Sequence, residues 1–147
     1  MLFSGEYDRS LDPKGRIIFP RDFWDELKGG FIITKGLDGC LYLYPNSEWN
    51  LFIENLRAQK DTIYKEVRDF RRRFVGSAKS GDLDKQGRFL IPGELREYAC
   101  LGNDIVLVGM LERIEIWDKE RWDNNKAIIE ENMDEIAVKL QALGASI

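Results

Sequence analysis

The sequence predicts a mixed α+β fold built from two related halves, with interlocked β-hairpins and flanking helices. The decapeptide LDPKGRIIFP at residues 11–20 returns as LDKQGRFLIP at residues 83–92, 72 positions later. Each copy is followed by a short helical segment, two strand-like segments rich in β-branched and aromatic residues, and a longer helical segment. Internal repetition of this kind indicates a pseudo-two-fold fold, and we place the halves at residues 1–76 and 77–147.

Each half is predicted to contain a strand before the repeated turn, a short strand after it, a short helix, two further strands and a closing helix. Strands are expected at residues 16–19, 31–35 and 41–44, and again at 88–91, 105–108 and 114–117. Short helices are expected at residues 22–27 and 94–99. Pro20 and Pro92 end the strands that leave the turns, because proline has no N–H to donate to a sheet.

The closing helical segments are longer than the short helices. The first is expected to begin at Ser47, with Ser47 as its N-cap, and a second segment at about residues 62–75 to end before Gly76. Beyond Trp122 the apolar residues that recur at helical spacing are Ile128, Ile129, Met133, Ile136, Leu140 and Leu143. We expect this stripe to pack on a barrel, either its own or that of a neighbouring copy.

The repeated turns have the residues that a type I β-turn requires. In Asp-Pro-Lys-Gly, aspartate at the first position accepts backbone N–H bonds, proline sets φ at the second, and glycine suits the fourth. Asp-Lys-Gln-Gly keeps the first and last of these residues. The residues expected to support the turns are therefore Asp12, Gly15, Asp84 and Gly87.

The cations beside these turns are the candidate nucleic-acid contacts, namely Lys14, Arg16, Lys85 and Arg88. In one interpretation, the lysines and arginines project together towards phosphates or base edges, and the aspartates orient the arginines. In the other, each Asp/Arg pair only bonds within the turn or to the opposite half and keeps the hairpins in register. Local chemistry leaves both interpretations open.

The strands that leave the turns are apolar on both faces after their first residue, as in Ile17-Ile18-Phe19 and Phe89-Leu90-Ile91. A half-exposed antiparallel strand alternates apolar and polar residues. We therefore expect both faces of these strands to be buried, in a closed or interlocked barrel formed between the halves.

The densest basic run is FRRRF at residues 70–74. On a helix its three arginines, Arg71 to Arg73, spread over most of the circumference and cannot form one flat patch. We expect a solvated face with ion pairs to Glu66 or Asp69. An intersubunit bridge or a DNA contact is the alternative.

Composition limits the function classes. The chain has no histidine, which excludes imidazole metal sites and histidine-based catalytic triads. Cys40 and Cys100 are expected to be buried free thiols, and no catalytic constellation, cofactor loop or metal site is apparent. A net charge of −4 argues against a uniformly basic surface but not against a local basic patch. No apolar segment approaches the ~20 residues that span a bilayer, and no signal peptide is recognised, so we expect a soluble cytoplasmic protein. Because the chain offers no histidine, nucleophile motif or cofactor loop, we expect that it is not an enzyme.

Three long segments of the chain read GEYDRSLDPKGRIIFP, FRRRFVGSAKSGDLDKQGRFLIPGELREYACL and VLVGMLERIEIWDKERW. They resemble the MraZ family of bacterial transcriptional regulators, which is related to the AbrB-like swapped-hairpin DNA-binding proteins. The resemblance covers nearly the whole chain, and its specific part is the doubled D-x-x-x-R signature. It implies a pseudo-two-fold, AbrB-like double-split β-barrel.

The resemblance also implies a function. Proteins of this family are expected to form ring-shaped homo-oligomers and to associate with the nucleoid. They bind short direct repeats upstream of the division and cell-wall gene cluster that contains their own gene, usually lowering transcription. The motif arginines, here Arg16 and Arg88, are the expected DNA contacts, with Lys14 beside the first.

One departure from the repeat bears on this site. The second turn has Gln86 where the first has Lys14, and its lysine, Lys85, lies one place earlier. The first turn is therefore the better candidate for a DNA contact. The competing class is a self-assembling scaffold or protein-interaction module in which the turns are purely structural.

Overall fold

The computed structural model describes residues 2–59 and 62–147. Within these ranges the chain forms eight strands and six α-helices. The strands are β1 (Glu6–Ser10), β2 (Arg16–Ile18), β3 (Phe31–Lys35), β4 (Leu41–Pro45), β5 (Lys79–Gly81), β6 (Arg88–Leu90), β7 (Asp104–Met110) and β8 (Arg113–Asp118). The helices are α1 (Trp24–Leu27), α2 (Asn46–Ala58), α3 (Lys65–Phe74), α4 (Gly93–Tyr98), α5 (Lys119–Glu131) and α6 (Met133–Ala142), and a 3₁₀ turn at Arg21–Phe23 precedes α1.

The strands form one large antiparallel sheet and one small antiparallel ribbon. The sheet has six strands in the order β1-β7-β8-β4-β3-β5, and the ribbon pairs β2 with β6. Strand β1 of the first half lies beside β7 of the second, and β5 of the second half lies beside β3 of the first. The halves are therefore interlocked, and the α+β fold class predicted from the sequence is confirmed.

The main hydrophobic core lies between the ribbon and the inner face of the sheet. Ile17 and Phe89 point inward from the ribbon and pack with Ile33, Leu43 and Leu107 from the sheet. Full burial of such side chains stabilises a fold by ~1.5–3 kcal/mol each. The ribbon is thus anchored by its inner face, which fixes the position of everything on its outer face.

A second cluster covers the opposite face of the sheet. It contains Tyr42, Tyr44, Val106 and Trp117 from the strands, together with Phe74 of α3. Neighbouring residues of one strand therefore enter different clusters, as the period-two geometry of a strand requires. The central strands are buried on both faces.

The helix boundaries differ from those expected. Helix α2 begins at Asn46, after Pro45, and no side-chain cap is present, so the prediction of Ser47 as N-cap is wrong. Backbone geometry starts this helix instead, because Pro45 has φ −53° and ψ 150° and Asn46 N–H donates to the carbonyl of Gly30 at 3.1 Å. Helix α3 begins at Lys65, not near residue 62.

The C-terminal helical segment is divided at Asn132. The Asn132 side chain donates from Nδ2 to the carbonyl of Ile128 at 2.8 Å, a local bond of the kind that competes with a regular helix. Helix α5 buries Trp122, whereas α6 has no buried residue. The apolar stripe beyond Trp122 was expected to pack on a barrel. Its second part lies on α6, which is not buried against the barrel of the same subunit.

The two cysteines have different surroundings. Cys40 is buried, as expected, and burial raises the pKa of its thiol. Cys100 is exposed, so its predicted burial is wrong. It lies two residues after the end of α4 with φ 52°, at a surface turn.

Candidate nucleic-acid interface

The first repeated turn is organised around one carboxylate. Oδ1 of Asp12 accepts the backbone N–H groups of Lys14 and Arg16, both at 2.9 Å. The Asp12 carbonyl accepts the N–H of Gly15 at 2.9 Å, and the Asp12 N–H donates to the carbonyl of Arg16 at 2.9 Å. These four bonds close the turn and fix the direction in which Arg16 leaves it.

The second turn repeats the same pattern. Oδ1 of Asp84 accepts the backbone N–H groups of Gln86 and Arg88, both at 2.9 Å. The Asp84 carbonyl accepts the N–H of Gly87 at 3.0 Å, and the Asp84 N–H donates to the carbonyl of Arg88 at 2.9 Å. The two turns therefore share one hydrogen-bond pattern, although their central residues differ.

Both turns require glycine at their fourth position. Gly15 has φ 89° and Gly87 has φ 76°, in the left-handed region. A Cβ on Gly15 would lie 2.3 Å from Nη1 of Arg96, and a Cβ on Gly87 would lie 2.1 Å from the ring of Trp24. Arg96 and Trp24 occupy equivalent places in the duplication, so the short helix of each half covers the turn of the other.

Each motif aspartate also forms an ion pair with its motif arginine. Nε of Arg16 donates to Oδ2 of Asp12 at 2.6 Å, and Nε of Arg88 donates to Oδ2 of Asp84 at 2.8 Å. The backbone N–H of the arginine and then its side chain lower the pKa of both carboxyls below the ordinary aspartate value. Both carboxylates are therefore charged at neutral pH and orient the guanidinium groups.

These ion pairs leave part of each guanidinium without a protein partner. Among the described residues 2–59 and 62–147, the side-chain hydrogen bonds of Arg16 and Arg88 involve Nε alone. Their side chains are 28% and 30% exposed. The structure thus contains the Asp/Arg ion pairs that a purely structural role of the turns requires. The Nη groups of both arginines take no part in these pairs, so they can still bind DNA.

The register of the ribbon places both arginines on one face. Arg16 lies opposite Leu90, and Ile18 lies opposite Arg88. Residues directly opposite in an antiparallel pair share a face, as do residues two apart in one strand. The four side chains that we call the ribbon face are therefore Arg16, Ile18, Arg88 and Leu90.

The ribbon face corrects one prediction. Both faces of β2 and β6 were expected to be buried, but Ile18 is 50% exposed and Leu90 is 52% exposed. The inner partners Ile17 and Phe89 are 1% and 9% exposed. The ribbon buries its inner face alone, because it is a separate two-stranded layer with the core on one side.

The two tip lysines lie at opposite ends of the ribbon. Lys14 belongs to the turn beside Arg16, and Lys85 to the turn beside Arg88, and both are exposed. No ion pair or hydrogen bond of either ammonium group occurs within the described part of the chain. Both lysines are therefore free to meet an anion that approaches the ribbon face.

The structure adds a cation that the sequence analysis missed. Nε of Arg9, in β1, donates to the carbonyl of Ile18 at 2.9 Å, which places this guanidinium beside the ribbon. Its Nη1 donates to the carbonyl of Asp8 at 2.8 Å. The duplication gave no signal for Arg9, because the equivalent residue of the second half is Gly81.

The arginines of FRRRF do not join this site. Nη2 of Arg71 donates to the carbonyls of Leu56 and Gln59, at 2.8 and 2.9 Å, near the end of α2. Arg72 pairs with Asp69 at 2.9 Å. Arg73 reaches Gly36 and Tyr98 and stacks on the Tyr98 ring. The three side chains go to three different places, as the helical spacing predicts.

The described residues form neither a candidate metal site nor a membrane-spanning helix. No group of three or more histidine, cysteine, aspartate or glutamate side chains in those ranges is placed to hold a metal ion. No helix in the same ranges is long and apolar enough to cross a membrane.

Fold and site together define a duplicated, AbrB-like α+β protein with two cationic hairpin turns on one exposed ribbon. A family profile described as "MraZ protein, putative antitoxin-like" matches the chain twice, at residues 2–73 and 74–142. The chain therefore belongs to the MraZ family.

Curated relatives support this assignment over almost the full chain. A protein of Lachnoclostridium phytofermentans is 50% identical over 145 residues, which is 99% of each chain. A protein of Pediococcus pentosaceus is 47% identical over 143 residues, covering 97% of this chain and 99% of its own. One of Heliobacterium modesticaldum is 42% identical over 139 residues, covering 95% and 96%. Each carries the name "Transcriptional regulator MraZ", and transcriptional regulators are not a class of enzyme.

Proposed function

We propose that this protein is a sequence-specific DNA-binding transcriptional regulator whose ribbon face enters the major groove. The observation that carries the proposal is the placement of Arg16 and Arg88 on one exposed face, with Lys14 and Lys85 at its ends. A two-stranded β-ribbon fits the ~12 Å wide major groove, and arginine binds guanine O6 and N7 with two hydrogen bonds. The halves, residues 1–76 and 77–147, act as one interlocked unit with two such turns.

The roles of the cations follow from their positions. Arg16 and Arg88 are the first residues of β2 and β6, are held by Asp12 and Asp84, and are suited to base edges. The tip lysines stand on turns and are suited to phosphates. Each phosphate contact steepens the dependence of log K on log salt by ~0.9. One subunit of a protein with net charge −4 supplies few such contacts and binds weakly.

Assembly multiplies these contacts. In agreement with the family resemblance, the protein acts as a ring-shaped homo-oligomer on short direct repeats upstream of its own division and cell-wall gene cluster, where it lowers transcription. The proposed location is the cytoplasm, on the nucleoid. Once one subunit is bound, the next repeat is engaged at an effective concentration in the millimolar range for short linkages, so several weak contacts give one tight complex.

Two uncovered apolar surfaces support such an assembly. Helix α6 exposes Ile136 and Leu140, and Leu143, which directly follows the helix, is also exposed. A groove of about 380 Å³ between α2 and α3 is lined by Ile53, Leu56 and Val75, together with Arg57 and Arg72. The first turn of α6 carries Asp134 and Glu135, which complement these arginines. We propose that α6 of one copy occupies this groove of the next, a head-to-tail contact that closes into a ring.

The assembly proposal is tested by light scattering. Ile136→Asp and Leu140→Asp place a charge on the stripe and are expected to lower the assembly mass towards that of one subunit. Val138→Asp is the matched control, because Val138 is also exposed but lies on another side of α6. An unchanged mass for the stripe variants would exclude the α6 interface.

The DNA proposal is tested by gel shift on the fragment immediately upstream of the protein's own gene, at near-physiological salt. Arg16→Ala is expected to leave the fold intact and to abolish retardation of the DNA at concentrations that suffice for the unmodified protein. Arg121→Ala is the control, because Arg121 is an exposed arginine of α5 whose Nη1 donates to the carbonyl of Gly39. Native affinity of folded Arg16→Ala would remove Arg16 from the site.

The scaffold hypothesis remains the second candidate, because the ion pairs within both turns favour it. It predicts that Arg16→Ala and Arg88→Ala unfold or dissociate instead of losing DNA while assembled. Circular dichroism and light scattering on the gel-shift samples therefore separate the two functions.

A further inference from the structure

Two exposed aliphatic side chains lie between the arginines of the ribbon face. Ile18 and Leu90 each expose about half of their surface, although they belong to strands. The solvent-facing side of an antiparallel strand is ordinarily polar. Neither residue contributes to the buried core clusters among the described residues, so core packing does not account for them.

The internal duplication shows that these two positions are used alike. Ile18 and Leu90 are equivalent residues of the two halves, and both are aliphatic. Nearby exposed positions of the turns have diverged, since Pro13 corresponds to Lys85 and Lys14 to Gln86. A single exposed apolar residue needs no explanation. Two exposed aliphatic residues at the same position of both halves, Ile18 and Leu90, do need an explanation.

The geometry of the face suits a base-pair edge. The register puts the arginines on one diagonal of a rectangle and the aliphatic residues on the other. Neighbouring strands are ~4.8 Å apart and residues rise ~3.3 Å, so the longer side of the rectangle, along the strand, is about 7 Å. That length covers about two steps of B-DNA at ~3.4 Å per base pair.

We propose that Ile18 and Leu90 contact the C5-methyl groups of thymines beside the guanines bound by Arg16 and Arg88. The proposal rests on the proposed DNA-binding function. In the major groove the thymine methyl is the apolar group that aliphatic side chains contact. Two aliphatic residues make a patch too small for a stable protein partner. The cations around them, including Arg9 on the Ile18 carbonyl, fit a polyanion.

The inference is tested with two forms of the same DNA. The fragment upstream of the protein's own gene is prepared with thymine or with uracil throughout, since uracil pairs identically but has no C5-methyl group. The unmodified protein is expected to bind the uracil form about fourfold more weakly for each methyl contacted, which corresponds to ~0.8 kcal/mol for one buried methyl-sized group. Ile18→Ala and Leu90→Ala are each expected to weaken binding to thymine DNA and to reduce the thymine–uracil difference.

Matched controls make the result specific. Leu37→Ala removes an aliphatic side chain that is also 50% exposed but lies outside the ribbon, and is expected to leave both affinities unchanged. Arg16→Ala is expected to weaken binding to both forms. The first measurement uses the unmodified protein, so it does not depend on the folding of any variant.

The outcomes separate this inference from the function on which it rests. Equal affinity of the unmodified protein for the two DNA forms would overturn the methyl contact while leaving DNA binding in place. An unchanged thymine–uracil difference in both Ile18→Ala and Leu90→Ala would also overturn it. Failure to bind either form would overturn the inference and the DNA-binding proposal together.

Discussion

The two repeated turns have the same hydrogen bonds but carry different cations. Asp12 and Asp84 each accept two backbone N–H groups and one arginine Nε with nearly equal distances. Their central residues differ, because Lys14 is replaced by Gln86 in the second turn. The hydrogen-bonded structure of the turn is therefore the same in both halves, whereas the charges of its central residues differ.

The difference in charge is partly offset elsewhere on the ribbon. Arg9 bonds the carbonyl of Ile18, which lies opposite Arg88, so it adds a cation at the end of the ribbon that lacks Lys14. The sequence alone favours the first turn as the DNA contact. The structure predicts instead that both ends of the ribbon face contribute.

The largest expected effect is on stability and concerns the side chains that pack against the two turn glycines, Trp24 on Gly87 and Arg96 on Gly15. Gly87→Ala is expected to lower the free energy of unfolding by about 2–5 kcal/mol, combining ~1–2 kcal/mol for left-handed backbone with ~1–3 kcal/mol for overpacking. The obstacle is the Trp24 ring, which is held by its own bond from Nε1 to the carbonyl of Phe19 at 2.8 Å. Denaturant unfolding measures this change.

Gly15→Ala is the matched variant in the first turn. Its new methyl group would meet the guanidinium of Arg96, the end of a flexible side chain, so only the backbone contribution of ~1–2 kcal/mol is expected. Equal losses of unfolding free energy in the two variants would show that packing against Trp24 and Arg96 does not make the turns differ in stability.

Exchange of the central residues is expected to change the salt dependence of binding. Lys14→Gln is expected to reduce the slope of log K against log salt by ~0.9, and Gln86→Lys to increase it by a similar amount. Fluorescence anisotropy on labelled promoter DNA at several salt concentrations measures both slopes. If neither slope changes, the turn tips do not contact phosphates.

Arg9→Gln tests whether the second end of the ribbon is used. We expect the same reduction of ~0.9 in the salt slope, because one cation beside the ribbon is lost while the fold is kept. Arg121→Gln is the control, since Arg121 lies outside the ribbon. A slope that changes equally in both variants would indicate a general charge effect.

The smallest expected effect is on stability in acid. Hydrogen bonds from the backbone, and then the arginines, lower the pKa of Asp12 and Asp84 in the folded state. The stability that they contribute is present above the unfolded pKa of ~3.9 and is lost as the pH falls through the folded pKa values. Asp12→Asn/Asp84→Asn is expected to flatten the decline of unfolding free energy below about pH 4. If the decline is equally steep in the double variant, the acid sensitivity comes from carboxyl groups other than those of Asp12 and Asp84.

The features predicted correctly from the sequence are mainly local. Strand β3 has the bounds that were expected, because its phenylalanine, isoleucine and threonine residues fit a pleated, largely buried strand. The repetition of a whole motif predicted two related halves, and the structure pairs strands of one with strands of the other. The roles of the four candidate cations stay predictions until DNA binding is measured.

The features that sequence could not supply depend on contacts between distant segments. Three apolar residues in a row do not reveal whether a strand has one covered face or two, so the exposure of Ile18 was missed. Arg9 was missed because its partner is nine residues away on another strand and its counterpart, Gly81, has no side chain. The stripe on α6 was visible, but nothing in its pattern shows what covers it.

The most direct test of the account is photo-crosslinking from the ribbon face. A photoreactive phenylalanine derivative is placed at Ile18, at Leu90 and, as a control, at Leu37, and each assembled protein is irradiated with promoter DNA. We predict crosslinks to the DNA from the first two positions and none from the third. Bound DNA that crosslinks to neither ribbon position would contradict the claim that this ribbon is the surface that meets DNA.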